Sequence, residues 1–176
     1  MRTQEDVENY LNKLGRLYEP HGSTIVVSVG SGTQAAMRGQ SAWSVADREL
    51  MAALVAKWNS CDFCVGAHGA VAAKEIERSL IYKALADYRA APISGGLKAT
   101  LSFLEAMTLR PTELTSASAA AVFEAGVSAE ALEDAIAVGA IFNIVTRYAN
   151  ALDFALPTPN EFDRAASMLL RRGYAS

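Results

Sequence analysis

The chain has 176 residues, 51% of them hydrophobic and 20% charged, with a net charge of −3. That length can bury a real core in one or two small domains. The absence of any basic block or aromatic-plus-basic pattern argues against a nucleic-acid partner.

The first expected element is a helix from about Glu5 to Tyr18, stopped at Pro20. Residues 22–30 form the one β-like segment, and with no partner strand elsewhere they are expected as an apolar loop or a helix turn. A short helix is expected over Thr33–Gly39. Ser44-Val45-Ala46-Asp47 has the form of an N-cap with an acidic third position, opening a helix to about Asn59. Asn59-Ser60 breaks it, and a second helix runs from Cys61 to about Ala73, followed by another between Glu75 and Tyr88. Ser94-Gly95-Gly96 starts the next, with Leu97, Leu101, Leu104 and Met107 at helical spacing, and Pro111 ends it. A shorter helix is expected over Ser116–Ala125. Gly126 and Ser128 then pair a C-cap with an N-cap and launch a long helix through Ala151. Thr158-Pro159-Asn160-Glu161 is a capping box with Pro at the first helical position, opening a last helix to about Arg172. Short breaks without a flexible linker predict one all-α domain over residues 1–176.

The longest apolar run, near Ala135–Val145, is interrupted by Gly139 and Asn143 and is shorter than the roughly 20 residues of a membrane span. The opening Met-Arg-Thr-Gln-Glu-Asp lacks the apolar core of a secretion signal, so the cytoplasm is the expected location. In that reducing compartment a cysteine pair is more often catalytic or metal-binding than structural. Abundant alanine with few charges points to close helix packing and self-association.

The chemistry concentrates in Cys61-Asp62-Phe63-Cys64-Val65-Gly66-Ala67-His68, which holds both cysteines and one of the two histidines. On a helix, positions i, i+3 and i+7 share a face, so Cys61, Cys64 and His68 project the same way. A thiolate, a second thiol to trap its oxidised form and a base are the minimum parts for reversible thiol redox chemistry. Zinc would need four ligands, and the chain offers Cys61, Cys64, His68 and the remote His21 at best. Two inert core cysteines beside a chance histidine are the other plain alternative. His21, beside Pro20 and Gly22, is expected in a loop without a role. Trp43 and Trp58 are expected as core anchors, Trp58 close enough in sequence to shield the thiols.

Glu49 stands upstream, with the small residues Ala52, Ala53 and Ala56 on its helix face. Folding back at Asn59-Ser60 as a hairpin would put Glu49 about 16 Å before the turn and His68 about 12 Å after it, at ~1.5 Å per residue. That mismatch lies within the reach of the two side chains, so Glu49 could orient His68 and raise its basicity. A solvated charge is the competing reading of any single glutamate on a helix.

Glu49, eleven residues, then Cys61-x-x-Cys64-x-x-x-His68 resembles the signature of the AhpD-like alkylhydroperoxidases, within the carboxymuconolactone decarboxylase superfamily. The run-in Ser44–Leu50 is similar to the helix preceding the thiols in that family. Ile141–Leu152 is similar to the Phe-Asn-x-x-x-Arg-x-x-x-Ala-Leu stretch of its peroxidase-related members. The likeness spans about Ser44 to Leu156, leaving residues 1–43 as an N-terminal helix and loop extension. It implies an AhpD-like multi-helical bundle, a homo-oligomer (trimer or hexamer), and peroxide reduction without haem, flavin or metal. It also implies roles: Cys64 peroxidatic, Cys61 resolving, His68 the base, Glu49 the orienter, with a Cys61–Cys64 redox disulfide. The partners implied are a hydroperoxide substrate and an external dithiol reductant resembling a dihydrolipoyl-bearing protein. Some full alkylhydroperoxidases carry a second histidine just before the second cysteine, where this chain has Phe63, so a relay through that histidine is absent. Asn143, Arg147 and Asn150 fall at i, i+4 and i+7, placed to tie helices together or to line the site entrance. Three further readings share these residues: a thiol–disulfide oxidoreductase without peroxidase turnover, a redox sensor, and a decarboxylase or lactone-processing relative. The last is disfavoured because those relatives lack the cysteine pair.

Overall fold

The computed structural model describes residues 24–174, and among them there are eight α-helices, one short 3-10 turn and no strand. The expected helix over Glu5–Tyr18 and the loop at His21 lie outside the described residues. The helices are α1 (Thr24–Arg38), α2 (Val45–Trp58), α3 (Asp62–Ala72), α4 (Arg78–Asp87), α5 (Gly95–Leu109), α6 (Ser116–Glu124), α7 (Ala129–Ala151) and α8 (Pro159–Arg172).

One expectation is corrected. From Thr24 onward the β-like stretch runs on into the short helix expected over Thr33–Gly39 as a single 15-residue helix, α1, ending at Arg38. Valine and isoleucine carry only a small helix penalty, and a lone extended segment would leave its backbone groups unpaired, whereas a helix satisfies them internally. Gly32 allows α1 to lie close on α7: a Cβ there would sit 3.2 Å from Ile141 Cδ1. The buried guanidinium of Arg48 closes the far end, donating to Gly39 O at 2.8 Å and Ala36 O at 3.2 Å.

The other boundaries follow local chemistry. Ser44 and Asp47 form a reciprocal capping box, with the Asp47 amide donating to Ser44 Oγ at 3.0 Å. Ser94 and Ser128 each accept the third amide of their helices. Thr158 and Glu161 repeat the box at the start of α8. The helix expected from Glu75 begins only at Arg78, after a turn through residues 73–76.

α2 is the central helix, buried continuously from Arg48 to Ala56. Its most extensive contact is with α3, and Ala52, Ala53 and Ala56, all inaccessible to solvent, permit that approach. The main core gathers Leu50, Met51 and Leu54 of α2 with Leu101 and Leu104 of α5 and Phe142 of α7. Burying a side chain of this size contributes about 1.5–3 kcal/mol relative to leaving it exposed. Trp58 belongs to this core, edge-on to Tyr88 at 6.0 Å between ring centroids, and Trp43 donates Nε1–H to Ala131 O at 2.7 Å. A second, smaller cluster surrounds the two cysteines, so Trp58 is not their shield. No helix among the described residues is long and apolar enough to cross a membrane.

Candidate active site

The thiols sit where the α2–α3 hairpin turns. Ser60 adopts φ +54, a left-handed conformation uncommon for a residue with a Cβ, which reverses the chain in two residues. The Cys61 amide then donates back to Ala56 O at 2.9 Å. Cys61 takes the N-cap position of α3 and Cys64 lies within its first turn, near the positive end of the helix dipole. The turn is held from outside by α7. Asn59 Nδ2 donates to Asn143 Oδ1 at 3.0 Å, and Asn150 Nδ2 donates to Asn59 O at 3.1 Å. Asn143 also donates to Thr108 Oγ1 at 3.1 Å, and Arg147 donates to Asn143. The Asn143–Arg147–Asn150 set therefore ties α7 to the turn that presents the cysteines.

Both cysteines are free thiols, each 1% exposed. Their surroundings are Ala56, Phe63, Ala67 and Ala149, with Phe154 and Phe162 packed over them. Phe63 meets both rings edge-on, at centroid distances of 5.4 Å to Phe154 and 5.9 Å to Phe162. Gly66 leaves room for this roof, since a Cβ there would collide with the Phe162 ring. The two thiols hydrogen-bond to one another. The bond with Cys64 pulls Cys61 from its ordinary 9.0 down to about 7, against the upward push of burial, and the Cys64 backbone amide adds to the pull. Cys64 is pushed well above the ordinary thiol range by the same bond and by burial. The pair loses its first proton as a unit, with the charge resting on Cys61 in the observed arrangement.

Two turns along α3 lies a buried polar group of a different character. His68 Nδ1 is 2.7 Å from Glu49 Oε2. Glu49 is fully buried and also accepts from Arg38 Nη2, at 2.7 Å to Oε1. Tyr174 OH lies 2.8 Å from Glu49 Oε1, 3.0 Å from Oε2 and 3.2 Å from His68 Nδ1. Burial alone would raise the Glu49 carboxyl, but the bonds and charges of His68 and Arg38 outweigh it and hold the group below its usual 4.5. The Phe142 ring stands edge-on to the imidazole at 4.4 Å. With Nδ1 turned to the carboxylate, Nε2 is the nitrogen placed to accept a proton in the neutral ring.

The structure thus joins Glu49 to His68 by a direct hydrogen bond and joins Cys61 to Cys64, both pairs on the α2–α3 hairpin. Sequence reasoning did not find Arg38, Tyr174, Phe154 or Phe162. Arg38 ends a helix whose first half has the composition of a β-like loop or helix turn. Tyr174 and the phenylalanines come from segments far along the chain with no local pattern pointing to the thiols. A surface groove of about 500 Å³ opens elsewhere, between α5 and α7, lined by Met107, Pro111, Ile144 and Tyr148 with Asn143 and Arg147. Neither cysteine lines it. Among the described residues no group of three or more His, Cys, Asp or Glu is arranged to hold a metal ion.

This architecture is the all-α AhpD-like fold. An uncharacterized peroxidase-related protein from Silicibacter sp. TM1040 is similar to the chain with a TM-score of 0.73 and 24% identity, over 91% of this chain and 86% of that one. An alkylhydroperoxidase AhpD core, an uncharacterized peroxidase-related protein from Ralstonia eutropha JMP134, is similar at the same TM-score and 22% identity, over 91% of this chain and 88% of that one. No family model and no curated protein matches the chain.

Proposed function

We propose that the chain is a cofactor-free, thiol-dependent peroxidase of the AhpD-like peroxidase-related family, reducing hydroperoxides at Cys61 and Cys64. The observation that carries this reading is the buried Glu49–His68 pair, 2.7 Å apart, on the same α2–α3 hairpin as two hydrogen-bonded thiols. A structural histidine needs no ionised carboxylate; a base that must repeatedly take and return a proton gains from one.

One proton lies between the two sulfurs, and moving it from Cys64 to Cys61 along their hydrogen bond puts the negative charge on Cys64. His68 Nε2, directly or through one water, takes the proton that leaves the pair. The Cys64 thiolate attacks the distal oxygen of ROOH, the O–O bond breaks, and the alkoxide leaves as ROH with the proton returned by His68. Cys64 is now a sulfenic acid, oxidised by two electrons. Cys61 attacks its sulfur, water departs, and the Cys61–Cys64 disulfide forms. An external dithiol reopens the disulfide by two exchange steps and is itself oxidised to a disulfide. The burial of both thiols supports a slender dithiol arm, such as a dihydrolipoyl group, over a bulky protein dithiol as the reductant. The exposed Ile144 and Tyr148 on α7 and Leu152 at its C-cap, one turn apart, support assembly as a trimer or hexamer.

The test mixes the reduced protein with cumene hydroperoxide and counts peroxide consumed against disulfide formed. One disulfide per peroxide, with continued turnover when dihydrolipoamide is added, is the expected result. Peroxide left unconsumed while dithiol–disulfide exchange proceeds would make the protein a thiol–disulfide oxidoreductase. A single oxidation without turnover would make it a sensor.

A further inference from the structure

We infer that Arg38 and Tyr174 are positioning residues that hold Glu49 as a permanent anion, leaving His68 proton-bearing at Nδ1 and basic at Nε2. The inference rests on the peroxidase reading for its purpose, though the arrangement is testable without it.

The two oxygens of Glu49 are divided between partners. Oε1 takes the Arg38 guanidinium at 2.7 Å, and Oε2 takes His68 Nδ1 at 2.7 Å. The single Tyr174 hydroxyl proton is offered to both oxygens from 2.8 and 3.0 Å. A fully buried carboxylate whose only partner is an imidazole is neutralised most cheaply by protonating that imidazole, because the ion pair carries no net buried charge. Such a histidine rests already loaded and is useless as a base. Arg38 removes that incentive. With the Arg38–Glu49 pair already neutral, a second proton on His68 would create a net buried cation beside the Phe142 ring. Arg38 therefore decides whether His68 rests empty or loaded.

The remaining charges around His68 do not supply this balance. On α2, the Arg48 charge also acts on Glu49, but its guanidinium is held by the carbonyls that end α1 and makes no hydrogen bond to the carboxylate. On α3 itself, Cys61 and Cys64 share their own proton. From α7 the ring is met by Phe142, and on α8 Asp163 is paired with Lys74 and Arg78. Tyr174 stacks on the imidazole at 6.1 Å and 23°, while the Arg38 guanidinium lies 4.9 Å over the tyrosine ring. The tail that delivers Tyr174 is pinned to α1. Gly173 turns it with φ +71, and the Tyr174 amide donates to Gln34 Oε1 at 2.6 Å. Gln34 and Arg38 are one turn apart, so a single face of α1 holds the tail and charges the carboxylate.

The experiment reads the ¹⁵N resonances of the histidine rings in the reduced protein, with His21→Ala used to assign the two sets of signals. The parent at about pH 8 should show Nδ1 protonated and Nε2 bare. Arg38→Met should gain protonation at Nε2 at that pH, and the acidic limb of its oxidation rate with cumene hydroperoxide should move to higher pH. Arg38→Lys should restore the bare Nε2. Should Arg38→Met fail to fold, Arg38→Gln keeps a hydrogen bond without the charge and must show the same gain of protonation at Nε2. Tyr174→Phe should keep the bare Nε2 and slow oxidation about threefold to tenfold, the worth of one hydrogen bond. A bare Nε2 in the folded uncharged Arg38 variants, with an unmoved limb, overturns the inference. A parent that consumes no peroxide overturns the peroxidase reading alone, because the ring spectrum still decides what Arg38 does.

Discussion

The α2–α3 hairpin carries two buried sites, and they manage charge in opposite ways. Around Glu49 and His68 the charge is fixed: an arginine, a tyrosine and an imidazole converge on one carboxylate, all with short contacts. Around Cys61 and Cys64 the charge is mobile: a single shared proton, a helix N-terminus, and otherwise alanines and phenylalanines. A buried anion with several donors is stable and unreactive, whereas a buried thiolate with one thiol partner is held at a potential cost that oxidation relieves. The contrast separates the group that must not change from the group that must.

Exchanging the sulfurs tests the mobile site most severely. Cys64→Ser should abolish hydroperoxide reduction, while Cys61→Ser should take up one oxidising equivalent and stall as a sulfenic acid or mixed disulfide. Intact-mass spectrometry after one equivalent of peroxide distinguishes them, and a full first oxidation in Cys64→Ser but none in Cys61→Ser would reverse the two roles. That reversal is the outcome to watch, because the thiol hydrogen bond places the resting charge on Cys61.

Next in size is the fixed site. His68→Ala should slow peroxide reaction on the order of 10²–10⁴-fold, and Glu49→Gln by less, with the helical circular dichroism of both retained. Rapid-mixing kinetics giving unchanged rates in folded His68→Ala would reduce the contrast to two unrelated buried clusters.

Smaller effects probe what separates the two sites. Gly66→Ala forces the Phe162 ring aside and should destabilise by about 1–3 kcal/mol in urea titration. The opened roof should also speed alkylation of the thiols by a bulky maleimide. Asn143→Ala removes the α7 tie to Asn59 and should cost about 1–2 kcal/mol by the same measurement.

The least effect at neutral pH is the acid response. Because the folded Glu49 carboxyl lies below 4.5, its stabilisation is complete above that value and is lost as pH falls through the folded value. The difference in melting temperature between parent and Glu49→Gln should therefore hold steady above about pH 4.5 and narrow as pH falls below it. A constant difference on both sides of that value would mean that Glu49 is no more acidic in the folded chain than in the unfolded one.

The amino-acid sequence by itself determined the features that depend on neighbours within one or two helical turns. Ser44 with Asp47, Ser94, Ser128, and Thr158 with Glu161 announce helix starts because a cap is made with the third residue along. The shared face of Cys61, Cys64 and His68 follows from helical period, and the meeting of Glu49 with His68 follows from a two-residue turn between two helices of known rise. The same local reasoning failed over Thr24–Arg38. There β-branched composition suggested a break, and the packing of α1 against α7 keeps one continuous helix. Only the tertiary structure decided which groups close around the site. Tyr174 reaches Glu49 across 125 residues, and Phe154 and Phe162 cover cysteines far earlier in the chain. Asn150 holds a turn 91 residues before it. No periodicity connects such positions. Their proximity is set by how α1, α7 and α8 pack around the α2–α3 hairpin, and that packing determines whether a carboxylate stays charged and where a shared proton rests.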